Sequence, residues 1–335
     1  MSLRILNDIH AGVIRSGGTT PSSALALRQH VIDELEKLLP DSDLMILGDL
    51  FDKENVPIVD LLKVYDLFMD WLLKGYKLYL VAGNHDLSKT SSVISSFDML
   101  GGLLYKLYPS QVRVIKEAQM TEYGYVIPHV ANQDLFNLEL EKVPACDYLF
   151  LHVNYDNKFA AQLDQSLNLS KQQASALPVQ RIISGHEHHQ RILGKLIYPG
   201  NQICTSISDW GVGDDRAFIE LRDKPELISY KCKELLFDAI QYTELSKYSG
   251  SAKFIKVLGR VKPEESASVV TAISKFRQRS EAFIVSNAVE IESEDETESF
   301  KEALTEIKSF NVWGSLQKFL TEEEFKILES LKDAN

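Results

Sequence analysis

Five short apolar runs in the first part of the chain have the length of strands, and each stops at polar or turn residues. The runs cover residues 3–6, 44–47, 78–82, 148–151 and 182–183. Apolar runs of this length between turn residues are typical of buried strands. The segments between the first runs have helical spacing, which predicts one helix from Ser22 or Ser23 to Pro40 and another from Pro57 to Gly75. The alternation predicts an α/β protein.

Each predicted strand is followed closely by side chains that bind metal ions. In an open α/β sheet the carboxyl ends of neighbouring strands face one crevice, so we expect these side chains to meet there. Nitrogen and oxygen donors without thiolate suit Mn, Fe, Zn or Co better than Ca or a structural zinc. The predicted cofactor is a pair of divalent metal ions, Mn²⁺ in the first place, with Fe, Zn, Co or Mg as alternatives. The predicted ligands are Asp8, His10, Asp49, Asn84, His152, His186 and His188.

A pair of metal ions about 3.5 to 4 Å apart acts as a clamp for in-line displacement at phosphorus, in which a bound water becomes the nucleophile. The leaving oxygen needs a proton donor, and His85, next to Asn84, is the predicted acid. Asp52 is predicted to accept a hydrogen bond from His85 and fix its tautomer, with Asp86 as the competing choice. The predicted catalytic residues are therefore His85 and Asp52.

Other catalytic motifs are missing from the sequence, and the remaining histidines have structural explanations. There is no G-x-S-x-G, no G-x-x-x-x-G-K-[ST] and no G-x-G-x-x-G after a strand. His30 falls in a helical pattern, His129 follows Pro128, and His189 is expected to face away from the ligand pair that precedes it. None of these three histidines is predicted to bind metal.

The rest of the chain predicts a second sheet, a small domain and a helical end. Residues 195–231 contain short runs between turn residues, as antiparallel strands do, and we infer a second sheet packed on the first. A strand, a helix and a strand at 254–258, 266–277 and 282–292 predict a small α+β domain. The predicted division is a metal-binding domain at 1–238, a small domain at 239–295 and a terminal helical segment at 296–335.

Charge and composition add one candidate surface and a location. The 335 residues carry a formal net charge of −12, whereas nucleic-acid-binding proteins are more often basic. Three widely spaced cysteines, no secretory signal and no bilayer-spanning apolar stretch predict a cytoplasmic protein without a membrane part. One basic cluster lies in the predicted small domain, although a solvated helix and strand face can carry the same charges. Its members are Lys253, Lys256, Arg260, Lys262, Lys275, Arg277 and Arg279.

Five motifs of the chain resemble those of the calcineurin-like metallophosphoesterase superfamily. They are Asp8-Ile9-His10, Gly48-Asp49-Leu50-Phe51-Asp52, Gly83-Asn84-His85-Asp86, His152 and Gly185-His186-Glu187-His188. The resemblance implies a four-layer α-β-β-α sandwich with a small α+β capping domain and C-terminal helices. It implies that His85 is catalytic and that Asp49 bridges two metal ions. One ion would be held by Asp8, His10, Asp49 and His188, and the other by Asp49, Asn84, His152 and His186.

Finer features resemble the DNA-repair nuclease branch of that superfamily, the SbcD-type exonuclease subunit and its phage recombination-nuclease relatives. They are residues 48–52 followed by Pro57, the motif Tyr198-Pro199-Gly200-Asn201, and the strand-like run 217–221. The resemblance implies exonuclease action on duplex ends and endonuclease action on single strands, in DNA repair and recombination of a bacterial or phage-infected cell. It implies an SMC-like coiled-coil ATPase (SbcC-type) as partner, a homodimer, and DNA binding by the basic cluster. The predicted partner-docking residues are Phe300, Leu304, Ile307, Phe325, Leu328 and Leu331.

Two other hypotheses stay open at this point. The same metal ions could serve a stand-alone phosphoesterase that acts on small phosphodiesters or phosphoproteins. Activity with manganese on linear DNA, compared with nitrophenyl phosphates and cyclic nucleotides, separates that hypothesis from a nuclease. A scaffold with vestigial metal sites is the third hypothesis, and the complete ligand set argues against it.

Overall fold

The structure is a computed structural model that describes residues 2–13, 21–88, 93–157, 166–206, 216–230 and 236–291. The strands of its main body are β1 (Leu3–Leu6), β2 (Asp43–Leu47), β3 (Leu78–Val81), β4 (Val112–Ile115), β5 (Gln119–Thr121), β6 (Gly124–Val126), β7 (Cys146–His152), β8 (Asn154–Tyr155), β9 (Asn168–Leu169), β10 (Val179–Gly185), β11 (Arg191–Leu193), β12 (Leu196–Tyr198), β13 (Arg216–Leu221) and β14 (Pro225–Tyr230). Six form one sheet in the order β14-β13-β1-β2-β3-β4, and six form another in the order β11-β12-β10-β7-β6-β5. β8 pairs with β9.

The two six-stranded sheets pack face to face, and helices cover their outer faces. Buried side chains from both sheets, Tyr79 and Phe150 among them, fill the space between the sheets. Among the described residues, three helices pack on the first sheet around Phe68, and two pack on the second around Phe136. The helices are α1 (Pro21–Leu38), α2 (Ile58–Leu72), α3 (Ser96–Leu107), α4 (Gln133–Glu141) and α5 (Lys171–Ala176). The predicted four-layer α-β-β-α fold class is confirmed.

Helix α2 shows how the apolar spacing produces this packing. Leu61, Val64, Phe68 and Trp71 recur every three or four residues, and all four are buried. Each such side chain contributes roughly 1.5–3 kcal/mol when it leaves water completely. Leu62, which departs from this spacing, is 49% exposed.

The five ligand-bearing strands belong to two sheets rather than to one. β1, β2 and β3 run parallel in the first sheet, whereas β7 and β10 run parallel in the second. The prediction for residues 195–231 was also wrong in part, because β13 and β14 join the first sheet next to β1. Arg4 and Glu220 stand opposite each other in this pairing and form an ion pair of 2.6 Å. A strand pattern cannot show the partner strand, because the ladder is made by main-chain groups.

A third, smaller sheet follows the main body. Its parallel strands are β15 (Phe237–Gln241), β16 (Phe254–Val261) and β17 (Phe283–Ile291), and α6 (Ser266–Arg279) connects the last two. One face of this sheet packs against α6. On its other face, Phe237 and Phe254 belong to the hydrophobic core that also contains side chains of α1. The predicted strand, helix and strand correspond to β16, α6 and β17. The domain boundaries stay predictions, and residues 296–335 lie outside the described residues.

No helix in the described ranges is both long and apolar enough to cross a bilayer.

Candidate metal centre

The strand ends of both sheets meet at one place. The residues that follow β1 stay hydrogen-bonded to the residues that follow β2. The Asp8 N–H, for example, donates to the Gly48 carbonyl at 3.1 Å. From the second sheet, His152 Nε2 at the end of β7 lies 3.2 Å from Asp49 Oδ2. The main-chain N–H of His186, after β10, donates to Asp8 Oδ2 at 2.9 Å. The convergence predicted for one sheet is therefore achieved by two sheets that face each other.

Four of the predicted ligands have a left-handed backbone. The φ angle is 52° at Asp8, 51° at His10, 52° at Asp49 and 84° at His186. A non-glycine residue seldom adopts this conformation, which costs on the order of 1–3 kcal/mol and persists only where its surroundings hold it. At the end of a strand such a residue turns the chain sharply, and backbone strain of this kind is characteristic of functional sites.

At two of the glycines that precede predicted ligands, Gly48 and Gly83, no side chain fits. A Cβ atom on Gly48 would overlap the ring of His152, and one on Gly83 would overlap the Asp49 carboxylate. Gly48 also has a φ of +83°, which a residue with a side chain rarely adopts. The Gly-Asp and Gly-Asn pairs in the sequence are therefore packing requirements of the ligand cluster.

The predicted ligands lie in two adjacent groups. Asn84 Oδ1 lies 3.1 Å from His186 Nδ1 and so joins the second group. Asp8 Oδ1 is 3.8 Å from both His152 Nε2 and His188 Nε2, and it therefore stands between the groups. This grouping agrees with the one that the family resemblance implies, whereas the bridging role of Asp49 stays a prediction. Donor atoms within 4.8 Å of one another define the groups Asp8, His10, His188 and Asp49, His152, His186.

Distances and an unsatisfied atom show that these residues fit two cations. His10 Nε2 and His188 Nε2 face each other at 3.3 Å. Two nitrogens that bind one metal ion at about 2.1 Å each lie roughly 3 Å apart. Asp8 Oδ1 is buried and has no hydrogen-bond partner among the described residues, which is rare for a buried polar atom. Imidazole, carboxylate and amide donors together suit a transition-metal ion.

Electrostatics in the cluster also favours cations. Burial would lower the pKa of His152, but the carboxylates of Asp49 and Asp8 outweigh burial and raise that pKa to about 10. Burial would raise the pKa of Asp49, yet the neighbouring histidines, His152 first, hold it well below its usual range. Burial lowers the pKa of His10 to about 4, so this ring is neutral at pH 7. A proton on His152 thus balances the carboxylates, and a metal ion would displace it.

The tautomer of His152 is set by the main chain. Its Nδ1 lies 2.9 Å from the carbonyl oxygen of Leu47. A carbonyl can only accept, so Nδ1 carries the proton in the neutral ring and Nε2 is directed at the carboxylates.

A buried pair of amides orients Asp8, and the sequence pattern gave no sign of it. The Asn7 side-chain amide donates to Asp8 Oδ2 and, at 3.1 Å, to the Gly200 carbonyl. Gln202 Oε1 accepts the Asn7 N–H at 2.8 Å. Gln202 Nε2 lies 3.1 Å from Asn7 Oδ1, 2.6 Å from the Gly200 carbonyl and 2.9 Å from the Ala217 carbonyl. The only available signal was position, directly before Asp8 and directly after the Tyr-Pro-Gly-Asn motif.

His85 lies beside the ligands, with its side chain 42% exposed and its ring edge-on to His10 at a centroid distance of 5.2 Å. Its Nδ1 lies 2.6 Å from the main-chain carbonyl of Asp52, whereas the sequence placed the Asp52 carboxylate in this role. That carboxylate is directed at His10 instead, with 3.5 Å from Oδ1 to His10 Nδ1. The competing choice, Asp86, accepts main-chain N–H groups of Phe51 (3.0 Å) and Gly83 (2.9 Å). Asp86 therefore ties the loops after β2 and β3 together.

An open cleft of about 630 Å³ gives solvent access to the cluster. His189, which we expected to face away from the ligand pair, is among the residues that line this cleft. His129, also set aside as structural, lies near the ligands: burial lowers its pKa to about 4, and the charges of His152 and Asp49 act on it. The lining consists of His10, Asp49, His85, Asn154, Tyr155, Asp156, Asn157, His186, Glu187, His188, His189 and Arg191.

The basic cluster lies on the small domain, and none of its seven members lines the cleft. Arg260 forms an ion pair of 2.9 Å with Glu290, and Lys262, Lys275 and Arg277 are exposed. DNA binding by this cluster stays a prediction. The six predicted partner-docking residues lie outside the described residues.

Comparison with known proteins identifies the family. The calcineurin-like phosphoesterase family model matches residues 1–190, which is more than half of the chain. The chain therefore belongs to the calcineurin-like phosphoesterase family and is a hydrolase, and its two ligand groups are candidate sites for the two divalent metals of that family.

Similar solved structures include two of a cold-active protein-tyrosine phosphatase. One, from the psychrophile Shewanella sp., is 15% identical and covers 69% of this chain and 77% of its own, with a TM-score of 0.32. The other, at 1.1 Å, is 15% identical and covers 69% and 76%, with a TM-score of 0.29. Likeness at this level says nothing about substrate. No curated protein matches the sequence.

Proposed function

We propose that the protein is a metal-dependent nuclease subunit that hydrolyses phosphodiester bonds in DNA during repair or recombination. The observation that carries hydrolysis is the pair of adjacent ligand groups in an open cleft, with His85 beside them. The choice of DNA is supported by residues 48–52 and the motif that begins at Tyr198, which resemble the repair-nuclease branch. We also propose that the protein acts in the cytoplasm of a bacterial or phage-infected cell.

The chemistry follows from the residues around the cleft. Metal ions held by the two groups would lower the pKa of a bound water and offset the charge of the phosphate oxygens. The ionised Asp49 and the neutral His10 present their lone pairs for that purpose. His85 is oriented through Nδ1, so its Nε2 is available to the substrate and, in the protonated ring, donates to the leaving oxygen.

A comparison of three variants tests this assignment. His85→Ala should keep two manganese ions per chain and lose roughly 10²- to 10⁴-fold in cleavage of linear DNA, as expected for a lost general acid. Asp49→Ala should lose metal and activity together, and His189→Ala, which changes another cleft histidine, should keep both. Undiminished DNA cleavage by His85→Ala would exclude the leaving-group role. If the manganese-loaded protein hydrolyses no phosphodiester, the proposal is wrong.

The alternative is a stand-alone phosphoesterase for small phosphodiesters or phosphoproteins, which the same ligand groups would serve. Rates on linear DNA, nitrophenyl phosphates and cyclic nucleotides under identical manganese loading decide between the two. If the protein hydrolyses only the small substrates, it is a stand-alone phosphoesterase and not a nuclease.

The proposed partners are an SMC-like coiled-coil ATPase, bound by residues 300–335, and a second copy of the chain. A homodimer is supported by exposed apolar side chains on and beside the adjoining helices α2 and α3. Leu62→Glu should give a monomer in light scattering, and Leu138→Glu on α4 should not. Deletion of 300–335 should abolish ATPase binding, and unchanged affinity would contradict that assignment. The exposed side chains are Ile58, Val59, Leu62, Ile94, Met99 and Leu103.

A further inference from the structure

We propose that Arg191 binds the substrate phosphate next to the one being hydrolysed and makes the cleft selective for polynucleotides over substrates with a single phosphate. This inference rests on the proposed phosphodiester hydrolysis and specifies which feature of DNA the cleft would recognise.

The position of Arg191 is fixed by a sheet rather than by a loop. Arg191 is the first residue of β11 and stands opposite Tyr198 in the antiparallel pair with β12. It follows the ligand His188 by three residues and lines the same cleft as His10 and His85. Among the described residues it pairs with none of the seven predicted ligands, so it belongs to the substrate side of the cleft and not to the metal groups.

The guanidinium group is held in place by two neighbours. Its Nη2 forms an ion pair with Glu187, and its central carbon lies 5.2 Å from the ring centre of Tyr198. Both neighbours are anchored in turn: Glu187 Oε1 accepts the Tyr155 N–H at 2.9 Å, and the buried Tyr198 hydroxyl donates to the Val153 carbonyl at 2.9 Å. The side chain is thus ordered before any ligand binds, which reduces the entropy lost on binding.

Arg191 keeps donors for a ligand. Arginine has five N–H donors. Nε is buried and out of reach of the cleft, and Glu187 takes one side of the group through Nη2, so the donors left for a ligand are those of Nη1 and the second N–H of Nη2. The side chain is 39% exposed at the cleft. A planar guanidinium matches the geometry of a phosphate group, to which it can donate two parallel hydrogen bonds. A free phosphate oxygen in the cleft would satisfy these donors.

The scissile phosphate is bound elsewhere, which leaves its neighbour for Arg191. In the proposed reaction the ligand groups and His85 hold the reacting phosphate. A polynucleotide carries a phosphate on every nucleotide, so a strand held at the metal groups presents another phosphate farther along the cleft. A substrate with one phosphate cannot occupy both places at once. Arg191 therefore contributes to the binding of DNA and not to the hydrolysis of a minimal phosphodiester.

The test compares Arg191→Gln with Arg181→Gln in the manganese-loaded full chain. Arg181 is an exposed arginine of β10 that does not line the cleft and is therefore the matched control. Hydrolysis of a single-stranded oligonucleotide and of bis(p-nitrophenyl) phosphate is measured. Binding of a phosphorothioate oligonucleotide is also followed by anisotropy at several salt concentrations, and metal content is measured for each variant.

Loss of a hydrogen bond to a charged group should raise the KM of Arg191→Gln for the oligonucleotide about tenfold, with kcat nearly unchanged. Its activity on bis(p-nitrophenyl) phosphate should equal that of the wild type. The slope of log affinity against log salt should decrease by about 0.7, the value for one phosphate contact on a single strand. Arg191→Lys should restore part of the affinity, because lysine keeps the positive charge but lacks the planar set of N–H donors.

Three results would overturn the inference. Equal losses on both substrates would mean that Arg191 supports the metal groups, and no loss on either would mean that it binds no substrate. A wild-type protein that hydrolyses bis(p-nitrophenyl) phosphate but no oligonucleotide would exclude polynucleotides. If the wild type hydrolyses neither substrate, the proposed function fails, and the salt slope of binding still decides whether Arg191 contacts a phosphate.

Discussion

Replacement of Gln202 by leucine should weaken both the fold and the metal centre, because this side chain satisfies several buried groups near Asp8. The variant leaves the N–H and the Oδ1 of Asn7 and the carbonyl of Ala217 without their side-chain partner, whereas the Gly200 carbonyl still accepts from the Asn7 amide. At about 1–3 kcal/mol for each buried unpaired group, the loss is roughly 3 to 9 kcal/mol, against about 5–15 kcal/mol for a whole protein. Denaturant unfolding of the metal-free protein measures this loss.

A milder variant separates orientation of the ligand from support of the fold. Asn7→Ala removes the amide on Asp8 Oδ2 and keeps Gln202 within reach of the Gly200 and Ala217 carbonyls. Loss of a group that orients a ligand typically lowers metal affinity 10- to 100-fold, which calorimetric titration with manganese would detect.

The matched control is Gln180→Leu, which replaces an exposed glutamine on β10. It should change neither the free energy of unfolding nor the manganese affinity. If Asn7→Ala bound manganese like the wild type while losing stability, the amide pair would support strand packing only.

Three further predictions concern a glycine in a ligand loop, the stability of the protein at low pH and its stabilisation by manganese. Gly83→Ala should lose metal in elemental analysis and melt at a lower temperature because its Cβ would overlap a ligand carboxylate, whereas Gly102→Ala on α3, with open space around it, should be neutral or stabilising. Burial lowers the pKa of His30 from 6.5 to about 4. The unfolded chain therefore takes up this proton first, and the free energy of unfolding should fall by roughly 3 kcal/mol between pH 6.5 and 4. His30→Leu should remove that part of the pH dependence, and identical pH profiles would contradict it. Manganese at 1,000 times its Kd should raise the free energy of unfolding by about 4 kcal/mol, and Asp49→Asn should show no such rise in thermal melts.

The strands and the donor side chains at their ends could be predicted because both signals are local. The run before Asp49 is apolar over a few residues and ends in Gly-Asp, and a donor side chain at a strand end can be recognised without knowing the fold. Sheet membership could not be predicted in this way. The run at 217–221 has strand character, yet its place beside β1 depends on contacts such as Arg4 with Glu220, which are far apart in the sequence.

The details that orient the ligands were out of reach for the same reason. Asn7 and Gln202 are 195 residues apart, and each alone is an ordinary polar residue. Residue type also fails to show which atom of a residue acts. The sequence correctly brought Asp52 next to His85, but the acceptor is its carbonyl oxygen, an atom that every residue has. Only the path of the loop after β2 decides between carbonyl and carboxylate.

The metal centre is the region where local preferences are broken together. Asp8, His10 and Asp49 have a left-handed backbone, and within the described ranges the buried Asp8 Oδ1 has no hydrogen-bond partner. Each of these features destabilises the chain, and rules built on local preference would assign other conformations at these positions. The compensation comes from elsewhere, from the apolar layer between the sheets and from bonds such as those of Asp86 to two ligand loops. Residue types could therefore reveal where the site lies, whereas its shape is imposed by the rest of the fold.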